Sequence, residues 1–373
     1  MTDVKMNREP LFRVVKREDV SSGKAILIRA LAVFAALLVN GIFILCITGV
    51  DPVSAYLKML EGAFGNSIYL WATINATMKL LCISVALSLA FKMQFWNCGG
   101  EGQVLIGALA AAFVMAKFGE SVPGIALFVL MFLAAAVSGA IWGLIPAVFK
   151  AQWNTNETLF TLMMNYVAIQ LVSYTYNVWR GQASGLGKLN KTTHAGWFPE
   201  IMGQRAFLNV IFVLLITVIV YFYLKYSKQG YEISVVGGSQ NTARYAGINV
   251  KKVIIRTMAL SGMLCGICGF LTVAGNDQTI STGTAGGYGF TAIIVAWLSK
   301  FNAFYMLGVS LFIVFLEKGT ALIANDFSSF SASASAIVTG VILFFVIGSE
   351  FFMNYKLVFR KKTAKGGKQE WTA

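Results

Sequence analysis

The polar side chains best suited to handling a ligand stand at breaks in otherwise apolar sequence. Asn97-Cys98-Gly99-Gly100-Glu101-Gly102-Gln103 interrupts the run from Phe95-Trp96 to Val104-Leu105-Ile106. Its three glycines free the backbone, and its amides and carboxylate can satisfy the groups so exposed. Glu101 stands where a helix resumes, so its carboxylate suits free amide groups and the positive end of a helix. Deep in a membrane it would cost roughly 2.5–3.5 kcal/mol unless paired or hydrogen-bonded. Two roles are open to the segment: capping a broken helix, or lining a path for a polar solute. A second break, GTAGGYGF at 283–290, carries Tyr288 and follows Gly275, Asn276 and Asp277. Between the two, Asn156-Glu157 begins a helix on which Asn165 and Tyr166 follow. Their choice is between helix-to-helix hydrogen bonding and solute contact. This is chemistry of hydrogen bonding, not of bond cleavage. No His-Glu-x-x-His or Gly-x-Ser-x-Gly occurs, and the single histidine, His194, falls in a loop.

The elements that must hold these residues are membrane-spanning helices. Of 373 residues 57% are hydrophobic and 12% charged, against about 25% charged in a soluble domain. A helix needs about 20 apolar residues to cross the hydrocarbon. On that measure spans fall near 25–48, 67–90, 102–118, 122–149, 157–180, 206–224, 253–274, 286–300, 303–324 and 331–353. The expected fold is therefore all-α, polytopic, with about ten transmembrane helices and glycine-rich helix breaks. Both termini are expected inside. The net charge of +14 fits that topology: about 22 of the 30 Lys and Arg fall on or beside the inner face. No nucleic-acid motif accompanies the charge, so no nucleic-acid partner is expected.

Residues 1–24 are expected as a cytoplasmic tail, 25–353 as the transmembrane domain and 354–373 as a basic cytoplasmic tail. The loop 181–205, which carries His194, is expected outside, and the amphipathic piece from Pro52 to Glu61 along the outer surface. Cys46, Cys82, Cys98, Cys265 and Cys268 read as small buried hydrophobes, since Cys265-x-x-Cys268 has no second ligand pair and no metal site is expected. Gly139-x-x-x-Gly143 and Gly262-x-x-x-Gly266 put small residues on one helix face, which allows close backbone approach. Lys79 stands near mid-span and needs a partner or water.

The polar stretch 225–252, KYSKQGYEISVVGGSQNTARYAGINVKK, should lie inside. Ser239 or Gln240 can start a two-turn helix through Ala246, with Gly247 ending it in a left-handed cap. Ile248 should then fold back near Ala243, and so short a helix must be held by something else.

Gly237, Asn241, Ala243-Arg244-Tyr245-Ala246 and Gly247-Ile248 resemble the cytoplasmic coupling segment of bacterial ABC-transporter permeases, in the branch that imports nucleosides and simple sugars. Asn97-x-Gly-x-Glu101-Gly102-Gln103, Asn156-Glu157 with Asn165-Tyr166, Ala259-Leu260-Ser261-Gly262 and Gly286-Gly287-Tyr288-Gly289-Phe290 resemble motifs of the same branch, in order, from about Asp51 to Phe352. Met164 departs from a usual leucine, and Lys79 stands where a proline is common.

The resemblance implies one permease subunit in a bacterial cytoplasmic (inner) membrane. It implies a cytoplasmic ABC ATPase, a second permease that is a related but different chain, and an extracytoplasmic substrate-binding protein. ATP and Mg would be bound by the ATPase, not by this chain, which has no Walker A loop: Gly187-Lys188 is followed by Leu189. Coupling is assigned to Gly237, Asn241, Ala243, Arg244, Tyr245, Gly247 and Ile248. The translocation path is assigned to Asn97, Glu101, Gln103, Asn165, Tyr166, Asn276, Asp277 and Tyr288. Two alternatives stand beside it: a permease for branched-chain amino acids, and an ion-coupled secondary transporter using Glu101, Asp277 or Lys79.

Overall fold

The computed structural model describes residues 12–17, 22–201, 203–327, 332–360 and 371–372. It divides into two compact units, Asn66–Val314 on one hand and Met1–Gly65 with Phe315–Ala373 on the other.

In the second of these, β1 (Phe12–Lys16) pairs antiparallel with β2 (Tyr355–Arg360), Lys16 opposite Tyr355, and β2 pairs with β3 (Trp371–Thr372). Short strands thus stand where the sequence reads only as polar tails. The long helices here are α1 (Ser22–Thr48) and α13 (Ala332–Asn354), joined where Asn40 Nδ2 donates to the Val338 carbonyl at 3.1 Å. Helix α2 (Pro52–Phe64) is the amphipathic piece, capped by Asp51, whose side chain accepts from the Ser54 amide at 2.9 Å. Lys58 on α2 pairs with Asp326 at 3.1 Å. That residue ends α12 (Ala303–Asp326), the helix through which the chain passes from one unit to the other.

The larger unit holds α3 (Ser67–Lys92), α4 (Gly100–Phe118), α5 (Gly124–Trp153), α6 (Glu157–Arg180), α7 (Phe207–Tyr226), α8 (Lys228–Gly238), α9 (Gln240–Tyr245), α10 (Val250–Leu271) and α11 (Tyr288–Leu298). The two glycine pairs face each other: a Cβ on Gly139 would strike the Gly262 carbonyl, and one on Gly262 would strike the Gly139 carbonyl. Bare backbone therefore packs on bare backbone where α5 meets α10. Both of these helices also pack on α4. Helix α3 is wholly buried from Leu80 to Phe91.

The chain is an all-α, multi-pass membrane protein. Eight of the described helices are long and apolar enough to cross a bilayer. The other two of the ten expected spans differ for separate reasons. Helix α6 has the length, 24 residues, but not the hydropathy. Helix α11 has 11 residues, about 16 Å of helix against a hydrocarbon core about 30 Å thick. The expected span at 286–300 is thus a half-helix entered through the glycine-rich break.

Candidate functional site

Helix α9 forms as its sequence dictates. The Ser239 side chain accepts from the Thr242 amide at 3.2 Å, with extended backbone at φ −164°. At the other end Gly247 takes φ +76°, and the Ile248 amide bonds back to the Ala243 carbonyl at 2.9 Å. That six-residue closure is the glycine cap of a short helix. Ala243 is fully buried, whereas Asn241, Arg244 and Tyr245 face outward, Tyr245 with 93% of its surface exposed. Helix α8, within the polar stretch 225–252 where only the two-turn helix is expected, anchors this knob. Gly237 abuts the Lys92 carbonyl at the end of α3 so closely that any side chain would collide. Glu232 and Arg256 join α8 to α10 at 3.0 Å, both mostly buried.

The first glycine-rich break is bound almost entirely by its own neighbours. Asn97 and Gln103 exchange amide hydrogen bonds at 3.3 Å, and Asn97 also donates to Ser261 Oγ on α10. Asn165 on α6 accepts from the Gly102 amide at 2.9 Å and donates to the Cys98 carbonyl at 2.8 Å. The Glu101 carboxylate reaches the other break, accepting from the amides of Gly287 and Gly289 at 2.8 Å each. Those amides open α11, where free N–H groups and the helix dipole favour an anion. Gly289 is compelled there, because a Cβ would strike the Glu101 backbone. Asn97, Glu101, Gln103 and Asn165 are each at most 5% exposed. Tyr166 looks outward from α6 at 64% exposure, and Tyr288 is buried at 8%.

The structure brings a separate polar group together at the other end of the bundle. Helix α10 runs on into a π-helical turn, Thr272–Asp277, on which Asn276 meets α7. There Asn209 Nδ2 donates to Asn276 Oδ1 at 3.1 Å. An open depression of about 940 Å³ lies over this turn, lined by Asn75, Asn276 and Gln278 below and by Lys188, His194, Trp197, Glu200 and Arg205 from the 181–205 loop. The loop is tied down by backbone bonds from Leu189 to Gln278 at 2.8 Å and from Phe198 to Ala274 at 3.0 Å. Trp197 is its anchor. Its indole donates to the Leu189 carbonyl at 2.8 Å, His194 stacks on it at 4.5 Å, and the Arg205 guanidinium lies 4.7 Å from its centre.

Beneath the depression, Lys79 points its ammonium over the Tyr288 ring at 5.6 Å, within electrostatic reach of Asp277. Of the assigned path residues, Asn276 lines the depression, with Asp277 beside it. Asn97, Glu101, Gln103 and Asn165 assemble around the breaks instead. Sequence reasoning missed Asn75, Asn209 and Lys150, the last pairing with Glu157 at 2.8 Å to join α5 to α6. An asparagine within an apolar span was the available signal for the first two.

Comparison with known proteins accounts for the arrangement. Residues 69–347 match the family described as branched-chain amino acid transport system, permease component. The glucose ABC transporter permease protein TsgB13 of Haloferax volcanii is 31% identical, over 88% of this chain and 88% of its own. The guanosine ABC transporter permease protein NupP of Bacillus subtilis is 30% identical, over 84% of this chain and 90% of its own. A second guanosine permease protein of Bacillus subtilis, NupQ, is 24% identical over 67% of this chain and 81% of its own. Eight membrane-length helices among the described residues, paired glycine-rich breaks and a capped, outward-facing short helix thus accompany similarity across the membrane domain, and the chain belongs to this permease family as the membrane subunit of an ABC importer.

Proposed function

We propose that this chain carries nucleosides or simple sugars across a bacterial cytoplasmic membrane. In this reading it pairs with a related but different permease, an ATPase that holds the ATP and Mg, and an extracytoplasmic binding protein. The solute class rests on the glucose and guanosine relatives and on a depression rimmed and floored by amides, an indole and basic groups. Such a lining meets the hydrogen-bonding needs of hydroxyl-rich neutral molecules. A different partner chain is favoured because two distinct guanosine permease proteins of one organism resemble this one.

The observation that carries the mechanism is a physical connection. Helix α3 ends at Lys92 against α8 and holds Asn75 at the depression. Helix α10 begins just after α9 and ends in the turn that holds Asn276. Seventeen residues of α3 separate the two levels, about 25 Å. Force on the knob formed by Ala243, Arg244 and Tyr245 would therefore tilt the two helices that floor the depression. The Glu101 bridge to α11 would move with them and close or open the path below.

The test is uptake of labelled guanosine and glucose into proteoliposomes, with this chain alone and with ATPase, second permease and binding protein added. ATP-dependent uptake confined to the full assembly is the expected result. Uptake by this chain alone, driven by an ion gradient and indifferent to ATP, would overturn the reading.

A further inference from the structure

Helix α6 presents one side to the bundle and leaves the other bare. Its buried positions are Thr161, Asn165, Ala168 and Val172, and it packs on α4 and α5. Tyr166, Gln170, Tyr174 and Asn177 are exposed, Tyr174 at 71%. At about 3.6 residues per turn the two sets lie half a turn apart, on opposite sides of the helix. Neither the Gln170 nor the Asn177 side-chain amide has a hydrogen-bond partner among the described residues. Lipid does not supply one. Helix α6 runs beside α4 and α5, both long and apolar enough to span a bilayer, and Gln170 stands near the middle of its 24 residues. Hydrocarbon at that depth offers an amide neither donor nor acceptor. Helix α7 shows what a lipid-facing side looks like: every exposed position from Ile211 to Phe222 is apolar.

We propose that the outward face of α6 is the surface on which the second permease packs, meeting Tyr166, Gln170, Tyr174 and Asn177 with neutral amide, hydroxyl and small side chains at the same depth. Residues 158–179 carry no charge, so the face has nothing to offer an acidic or basic soluble partner. Met163, Val167, Leu171 and Val178 are exposed among the polar positions. Tyrosine and methionine with few charges compose the core of a protein interface, whereas the wall of an aqueous channel would gain nothing from the apolar members. Within a membrane, asparagine and glutamine amides bond from helix to helix. The placement has a mechanical consequence. On the opposite side of α6, Asn165 holds the first break through the Gly102 amide at 2.9 Å and the Cys98 carbonyl at 2.8 Å, and Thr161 Oγ1 accepts from the Cys98 amide at 3.1 Å. Helix α6 thus stands between the partner and the break, and a shift of one reaches the other through it. This inference rests on the proposed pairing with a related but different permease and adds the face that makes it.

The experiment uses the complete assembly in proteoliposomes. A photoreactive benzophenone side chain is placed at Tyr174 and, for comparison, at Ile219 on α7, and the adducts formed on irradiation are identified by mass. Adducts from position 174 to the second permease, with lipid adducts alone from position 219, are the expected result. If position 174 captures lipid, labelled guanosine or a second copy of this chain, and never the second permease present beside it, the surface is overturned. A second measurement is association of the two permeases in vesicles, read by energy transfer between labelled chains. Because Gln170 has no partner within its own chain, Gln170→Leu should leave the thermal midpoint of this chain unchanged or raised, yet weaken association about three- to tenfold, the worth of an interhelical amide bond. Gln170→Asn, which keeps an amide, should fall between. Association unchanged in both Gln170→Leu and Tyr174→Ala would overturn the surface alone. Uptake of guanosine or glucose by this chain with no second permease present would overturn the pairing itself, and the surface with it.

Discussion

Glu101 and Gly289 lie 188 residues apart, yet the carboxylate of one accepts the amide of the other at 2.8 Å, while its second oxygen accepts from Gly287 at the same distance. One side chain thus caps the half-helix α11 and joins the two glycine-rich breaks. A glutamine in its place would turn an NH₂ group toward one of the two amides and lose the charge. Glu101→Gln should therefore destabilise the fold by about 2–3 kcal/mol, the cost of losing a charge-assisted bond and stranding a buried donor. At a fixed scan rate this is a fall of roughly 5–10 °C in the apparent midpoint of detergent-solubilised protein. An unchanged midpoint would remove the bridge from any structural role.

The facing glycines of α5 and α10 make a second prediction. A methyl on Gly262 would meet the Gly139 carbonyl, and backbone cannot yield as a flexible side chain would. Gly262→Ala should cost about 2–3 kcal/mol and Gly262→Val more, through forced separation of the helices. By contrast Gly238→Ala, where nothing lies within 4 Å, should be tolerated. The check is the yield of monodisperse protein on size-exclusion chromatography. Equal yields for Gly262→Val and Gly238→Ala would contradict the packing.

These relationships differ in how far they could be read from the chain itself. Local structure was legible: Ser239, Gly247 and Ile248 encode the cap of α9 through neighbours a few residues away. So were the glycine pairs, whose i,i+4 spacing already marks a face. Helix α8 was hidden because Gly230, Gly237 and Gly238 lower its helix propensity, and packing against α3 and α10 overrides that. The partner of Glu101 was out of reach for a different reason. Its position marks the carboxylate as a cap of its own helix, and only the fold decides which helix end comes near. Strands β1 and β2, more than 300 residues apart in sequence, are hidden likewise, since a short polar segment shows its pairing only when the other is beside it.

Tyr245 and Gly247 separate surface from scaffold in α9. Tyr245→Ala removes a ring that is 93% exposed, so stability should change by less than about 0.5 kcal/mol. Its effect should appear instead as loss of ATPase stimulation, or of ATPase retained with the permease during purification. Gly247→Val forces a β-branched residue to φ +76° and should cost about 1–2 kcal/mol as well as coupling. Should Tyr245→Ala retain full stimulated ATPase and assembly, the contact would have to lie elsewhere on the segment.

The ion pair of Glu232 and Arg256 is where a displacement of α8 would reach α10, and a double-mutant cycle can isolate it. The two side chains are 19% and 25% exposed and 3.0 Å apart, too buried for the weak coupling of a surface pair and too wet for a fully desolvated one. A coupling energy of about 1–2 kcal/mol between Glu232→Gln and Arg256→Met is expected in thermal stability. If the pair transmits force, each single variant should also lower transport per ATP hydrolysed, and the double variant should be no worse than either alone. Stability coupling with unaltered transport efficiency would make the pair a brace, and would leave the contact of Gly237 with the Lys92 carbonyl as the remaining route from the short helix to α3.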